Sequence, residues 1–170
     1  MEKVPGETVF HGTDKLFDQE RAIPRMNRRV HTNEKGEQVV HFEKVSFHAT
    51  PHRWIALAYT YTENKSREVN AETFRYNMGV SLYENTKQVA IYGFGSLEES
   101  LSVLYGDGGY LYHFNGNDFY YTEGLGNLEV IVENPTEPMR VERIDNPVEE
   151  MKKEGVTFHF FDLTLPENKI

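Results

Sequence analysis

A histidine and a glutamate, far apart in the sequence, are the side chains best suited to chemistry. His11 ends the short predicted strand Thr8–His11, and Glu129 is the acidic residue of the apolar run Leu128–Val132. An ionised carboxylate is seldom buried without a partner, so Glu129 either faces solvent from a half-exposed strand or lies inside a site. His11 presents the same choice between a polar strand edge and a functional role.

The composition limits the kinds of chemistry that such residues could perform. The chain has no cysteine, which excludes disulfides, thiolate catalysis and cysteine-based zinc sites, so any nucleophile must be oxygen or nitrogen. Its net charge of -9 argues against a general nucleic-acid binder, because phosphate neutralisation needs a surplus of Lys and Arg. We expect one domain over residues 1–170, cytoplasmic, since neither a signal peptide nor a membrane-spanning apolar run is present.

Four arginines stand close together in this otherwise acidic chain: Arg21, Arg25, Arg28 and Arg29. Guanidinium groups bind phosphate through two parallel hydrogen bonds, so the cluster is a candidate phosphate contact. Such a run is more often a solvated loop, and the segment from Asp14 to Phe42 is mostly polar.

A second candidate, a metal site at His48 and His52, is not favoured by the sequence. A four-residue spacing suits metal ligation only when both histidines lie on one helix, and Thr50-Pro51 places a corner between them. No third ligand stands nearby, and His31, His41, His113 and His159 have no recognisable partner in the sequence. We therefore predict no metal site in this chain.

The stretch Val45–Tyr61 must position the site, because its hydrophobic period changes from two to 3.6 residues at Thr50-Pro51. Thr50 suits an N-cap, and Pro51 suits a first helical position. We expect a strand that turns directly into a helix running to about Lys65. The crevice at this corner is the candidate site.

The remaining pattern predicts many short strands and few helices. A capping box at Ser96 and Glu99 starts one helix, and Pro147–Lys153 forms another. Asn115-Gly116 favours a hairpin turn. Further strands are expected at Gln38–Phe42, Tyr76–Tyr83, Gln88–Tyr92, Tyr110–Phe114, Phe119–Thr122, Leu128–Val132, Met139–Ile144 and Val156–Leu163. The fold class expected is α+β with antiparallel or mixed sheets.

Three segments together resemble the His, Tyr, Glu motifs of diphtheria-toxin-like and poly(ADP-ribose)-polymerase-like ADP-ribosyltransferases. Phe10-His11-Gly12-Thr13 matches the first motif, an aromatic residue followed by His-Gly and Ser or Thr. Phe47, Ala49, Ala56 and Tyr59 fit the second with a one-residue slip, and Gly126-Asn127-Leu128-Glu129 fits the third. The resemblance runs from about Val9 to Ile144 and implies split, mixed sheets around a central NAD cleft.

The resemblance also implies roles for individual residues. Glu129 would hydrogen-bond the nicotinamide-ribose 2'-hydroxyl and stabilise the oxocarbenium-like cation, His11 would bind a ribose hydroxyl, and Tyr59 would stack on nicotinamide; these three form the expected catalytic set. The residues expected to bind NAD are His11, Gly12, Thr13, Phe47, Ala49, Tyr59, Arg25 and Arg28. Phe47 stands where many relatives have Tyr, and Asn127 lies where arginine-modifying members carry an acid, which makes transfer to arginine less favoured.

The expected activity is cleavage of the nicotinamide-ribose bond of NAD, with transfer of ADP-ribose to an acceptor or to water. Protein side chains, nucleic-acid bases, small molecules and water all stay open as acceptors. Because the chain is acidic, protein is favoured over nucleic acid, and no membrane partner is expected. Two alternatives stay open: a non-catalytic nucleotide- or protein-binding module of the same fold, and a tRNA 2'-phosphotransferase-like enzyme.

Overall fold

A computed structural model describes residues 2–4 and 6–168. Its three α-helices are α1 (Arg53–Ala58), α2 (Leu97–Tyr105) and α3 (Pro147–Lys153). Its strands are β1 (Glu2–Lys3), β2 (Thr8–Thr13), β3 (Arg25–Thr32), β4 (Gln38–Ala49), β5 (Ser66–Val69), β6 (Glu72–Arg75), β7 (Asn77–Tyr83), β8 (Thr86–Gly93), β9 (Gly109–Asn115), β10 (Tyr120–Tyr121), β11 (Val130–Val132), β12 (Arg140–Ile144) and β13 (Thr157–Asp162). This mostly antiparallel α+β architecture with short helices confirms the predicted fold class.

The chain forms two compact units, each built from several segments. The first unit comprises Met1–His11, Phe17–Arg53 and Tyr112–Glu142, and the second comprises Gly12–Leu16, Trp54–Leu111 and Arg143–Ile170.

The first unit contains a five-stranded antiparallel sheet in the order β1-β10-β11-β4-β3. Strand β4 is twelve residues long and pairs on one side with β3 and on the other with β11. Near its end, Val130, Ile131 and Val132 of β11 lie opposite Ala49, His48 and Phe47. All three β11 residues are buried, so this part of the sheet is anchored in the core.

The second unit contains the helices α2 and α3 and a sheet in the order β13-β8-β7, in which β13 and β8 are parallel. Ser96 caps α2 by accepting a hydrogen bond from the Glu99 amide, as the capping-box pattern predicts. Asn146 caps α3 in the same way, with Pro147 in its first turn. The predicted bounds of α3 are therefore confirmed.

Helix α1 is shorter than predicted, because it ends at Ala58 rather than near Lys65. The buried Thr60 hydroxyl donates to the Leu57 carbonyl at 2.7 Å, and the Thr60 amide donates to the same oxygen. A threonine that takes up a helical carbonyl in this way competes with continued helical bonding.

Two further sequence predictions were wrong. The arginine-rich segment read as a loop is largely strand β3, which pairs with β4 over its whole length. Asn115-Gly116 does not form a hairpin turn, because Gly116–Asp118 is a 3-10 helix and β9 and β10 belong to different sheets. A Cβ at Gly116 would lie 2.0 Å from the Glu7 carbonyl oxygen, so close packing requires this glycine.

None of the helices among the described residues has the length and apolar character needed to cross a membrane.

Candidate functional site

Glu129 lies immediately before β11, beside the end of β4 in the first unit. Because Val130 pairs with Ala49 and Ile131 with His48, the pleat puts the side chains of Glu129 and His48 on the same face of the sheet. The two side chains are hydrogen-bonded, with His48 Nδ1 donating to Glu129 Oε1 at 2.5 Å. Glu129 therefore belongs to a defined cluster.

Arg29 of β3 is the second partner of the Glu129 carboxylate. Its Nη2 donates to the same oxygen, Oε1, at 3.1 Å. Within the part of the chain that the structure describes, no hydrogen bond reaches Oε2. The Glu129 side chain is 28% exposed. Both of these hydrogen bonds therefore hold the carboxylate through the same oxygen, Oε1.

Alternation along β3 decides which arginines share a face with Glu129. Arg25 and Arg29 lie four residues apart on one face, opposite Ser46 and Phe42 of β4. Arg28 lies on the other face, where it forms an ion pair with Glu43 at 3.3 Å. Of the two arginines expected to bind phosphate, Arg25 alone lies on the Glu129 face, and Arg29 is the arginine that contacts the carboxylate.

Ser46 fixes the orientation of the His48 ring. Its Oγ lies 2.9 Å from His48 Nε2, because strand residues two apart project from the same face. With Nδ1 donating to a carboxylate, a neutral His48 ring accepts the Ser46 hydroxyl hydrogen at Nε2. The order serine, histidine, glutamate is that of a hydrolytic triad, but Ser46 is only 1% exposed. A buried hydroxyl does not reach a substrate, so we assign Ser46 to holding the ring.

His11 is attached to the backbone of the same residue. Its Nδ1 donates to the His48 carbonyl oxygen at 2.8 Å. Desolvation by burial lowers the pKa of His11 to about 4; the bond to the carbonyl opposes the shift, and the nearby His48 ring adds to it. His11 is therefore neutral near pH 7, with the hydrogen on Nδ1 and a lone pair on Nε2 that accepts a hydrogen bond.

Aromatic rings pack around His11 in the first unit. The Phe47 ring centroid lies 4.5 Å from that of His11, and the Phe17 centroid lies 5.6 Å from it. Phe17 stacks on Tyr112 at 3.8 Å between centroids, and the Tyr112 hydroxyl accepts from the Phe17 amide. Phe47 thus packs against the imidazole, and it is also the aromatic residue at the position where the resembled family often has Tyr. Because it alternates with His48 along β4, its side chain projects from the sheet face opposite Glu129.

Gly12, Thr13 and Tyr59 belong to the second unit. A Cβ at Gly12 would lie 1.7 Å from the Ala56 carbonyl oxygen of α1, so the backbone there passes too close to α1 for any side chain. The Thr13 hydroxyl bonds the Lys15 amide and carbonyl in a local turn. Tyr59 directly follows α1 and is 47% exposed.

His11 and Glu129, 118 positions apart, both hydrogen-bond His48: His11 bonds its backbone carbonyl oxygen, and Glu129 bonds its ring. The sequence pattern alone presents His48 as a possible metal ligand with His52, not as a partner of Glu129. Its alternation with Phe47 and Ala49 could have revealed its role, since it puts Ser46 and His48 on the face that also receives Glu129. Phe17 carries no such signal, because it lies in an irregular segment.

Comparisons with models of protein families, with curated proteins and with solved structures give no match to this chain.

Proposed function

We propose that this chain is an NAD-dependent ADP-ribosyltransferase or NAD glycohydrolase, with Glu129 as the residue that stabilises the reacting ribose. The observation that supports this most is the one-sided anchoring of Glu129. Arg29 and His48 both bind Oε1, whereas Oε2 is left to accept a hydrogen bond from a ribose hydroxyl. A carboxylate fixed in this way is suited to stabilising the positive charge that develops on the ribose during the reaction.

Charge separation explains why the reaction needs such a carboxylate. The bond between nicotinamide N1 and ribose C1' breaks, and its electron pair goes to nicotinamide, which leaves neutral. The ribose then carries positive charge shared between C1' and its ring oxygen. Glu129 stabilises that charge, and the acceptor forms the new bond to C1' and loses its proton. Water as the acceptor gives ADP-ribose and one proton.

The neutral state of His11 supports its proposed role at the ribose. Because the carbonyl of His48 fixes the hydrogen on Nδ1, Nε2 accepts a hydrogen bond from a ribose hydroxyl. Its lowered pKa keeps the ring uncharged, which avoids repulsion with the developing cation.

Arg25 and Arg29 support binding of the NAD pyrophosphate on the same sheet face. Arg29 is half exposed and already oriented by Glu129, and Arg25 is exposed four residues away on the same face of β3. Their guanidinium groups offer the planar donors that phosphate oxygens accept. This proposal replaces Arg28 with Arg29, because Arg28 faces the opposite side.

The test is to incubate the purified chain with NAD and to measure released nicotinamide by liquid chromatography, with NAD binding followed separately by calorimetry. Release of nicotinamide supports the proposal. Binding heat without nicotinamide would instead identify a non-catalytic nucleotide-binding module, and absence of both would overturn the function. Labelled NAD in a cell extract then identifies the acceptor; we expect the label on protein. NAD-dependent removal of a 2'-phosphate from RNA, without transfer of the label to protein, would identify the phosphotransferase alternative.

A further inference from the structure

Two exposed histidines of the first unit meet across the hairpin formed by β3 and β4. His31 Nδ1 and His41 Nδ1 lie 3.4 Å apart. The rings are tilted by 49° with centroids 5.4 Å apart, so the nitrogens approach each other while the ring faces do not stack. Neither histidine belongs to the hydrogen-bonded cluster around Glu129.

A β-bulge in the pairing of β3 with β4 brings the His31 and His41 rings together. Arg29 pairs with Phe42 and Val30 with Val40, which leaves His41 as an extra residue without an opposite partner. An extra residue bends the strand and redirects its side chain. Gly124 packs on the backbone at this point, since a Cβ on it would lie 2.2 Å from the His41 carbonyl oxygen. The bulged residue is therefore supported by a neighbouring loop.

As a hydrogen bond, the contact between the two rings is poor. Its 3.4 Å separation exceeds the ordinary upper range of about 3.2 Å for N–H donors. Both rings are exposed, where water competes for the same nitrogens. A hydrogen bond between the rings therefore adds little to stability.

We propose that His31 and His41 bind a divalent zinc ion through their two Nδ1 atoms. Zinc-nitrogen bonds of about 2.05 Å at the tetrahedral angle hold two nitrogens about 3.4 Å apart, whereas a right angle would hold them about 2.9 Å apart. The observed separation therefore matches the tetrahedral geometry that zinc adopts.

Two imidazoles make an open site. Among residues 2–4 and 6–168, no group of three or more His, Cys, Asp or Glu side chains is placed to hold a metal, so water completes the coordination. Open positions are the property of zinc sites that exchange ligands, in contrast to closed four-ligand structural sites. The ion would join the two strands near the end of the hairpin and leave positions for an added ligand.

The experiment is calorimetric titration of the full metal-free chain with zinc chloride at neutral pH. We expect one ion per chain, and His31→Gln or His41→Gln should each weaken binding at least about tenfold, because each removes one of two ligands. Both residues are exposed, so folding should be retained, which circular dichroism checks. His159→Gln, which removes an exposed histidine on β13, should leave affinity unchanged.

Two results of the same zinc titration would overturn the proposed site. Absence of zinc binding by the unchanged chain would do so, as would equal zinc binding by the His31→Gln/His41→Gln double variant. Affinity should fall as the pH is lowered, because imidazole must lose its proton to bind the ion. Zinc binding that does not weaken on acidification would contradict ligation by these rings.

Discussion

The ring of His48 and the carboxylate of Glu129 are hydrogen-bonded across 81 residues of sequence. Strand pairing produces this contact, since β11 runs antiparallel to the end of β4 and puts both residues on one face. Arg29 approaches the same carboxylate oxygen from β3 on the other side of β4. Three strands therefore determine the position of one acid.

Glu129→Gln should abolish NAD cleavage and preserve the fold. The substitution removes the negative charge needed by the oxocarbenium-like cation and keeps the shape of the side chain. We expect nicotinamide release to fall at least about a hundredfold, the effect of losing one electrostatic stabiliser of a transition state. Glu133→Gln is the matched control, because it makes the same change four residues away at a carboxylate bound to Lys44 and Tyr120. Equal rates in the two variants would refute the role of Glu129.

Arg29→Gln should reduce activity more than Arg28→Gln. Arg29 holds Glu129, whereas its neighbour Arg28 faces the opposite side and pairs with Glu43. We expect a loss of about fivefold in kcat/KM for Arg29→Gln, or roughly 1 kcal/mol, because the pair is half exposed. Arg28→Gln should stay within twofold. The reverse order of effects would show that phosphate binds on the Arg28 face.

Gly12→Ala should destabilise the protein by about 3 kcal/mol or more, because its Cβ would overlap the Ala56 carbonyl oxygen. Gly79→Ala is the control, since no atom lies within 4 Å of the Cβ it would add. We expect Gly79→Ala to change the free energy of unfolding by less than about 1 kcal/mol. Urea denaturation measures both. A Gly12→Ala protein as stable as the unchanged chain would contradict the close packing.

The low pKa of His11 predicts how stability varies with pH. The folded protein binds a proton at His11 only near pH 4, whereas the unfolded chain binds it near pH 6.5. The unfolded state therefore holds more protons between these values, so stability is complete above about pH 6.5 and falls as the pH drops toward 4. The loss is up to about 3 kcal/mol, and the slope flattens below pH 4.

Denaturation at several pH values tests this dependence, with His11→Gln as the informative variant. The variant should be less stable overall, and its stability should vary less between pH 6.5 and 4. His159→Gln is the matched control, since it makes the same substitution at an exposed histidine. An unchanged slope in His11→Gln would assign the pH dependence to other groups.

The sequence predicted correctly the two helices that begin at recognisable N-capping residues. Ser96 caps α2, and Asn146 caps α3 with Pro147 in its first turn. Capping depends on residues close in sequence, so these helices can be predicted from the local sequence. Strand β3 was missed because it has no apolar alternation: it is exposed along most of its length and is stabilised by its pairing with β4. Tertiary pairing of this kind leaves little trace in a single segment.

The candidate site was predictable only in part for the same reason. His11 and Glu129 stood out because each is polar beside an apolar run. His48, Arg29 and Ser46 acquire their roles from register, which is set by how β3, β4 and β11 align. One residue of slip in β4 would move His48 to the other face and remove its bond to Glu129.

Holding Glu129 through a single oxygen also has a thermodynamic consequence. A glutamate on an open surface samples many rotamers, and fixing it upon ligand binding costs about 1–2 kcal/mol of side-chain entropy. Here Arg29 and His48 immobilise the side chain when the protein folds, so that loss precedes the arrival of any ligand. The acid is preorganised, and a larger part of the binding energy remains for the reaction.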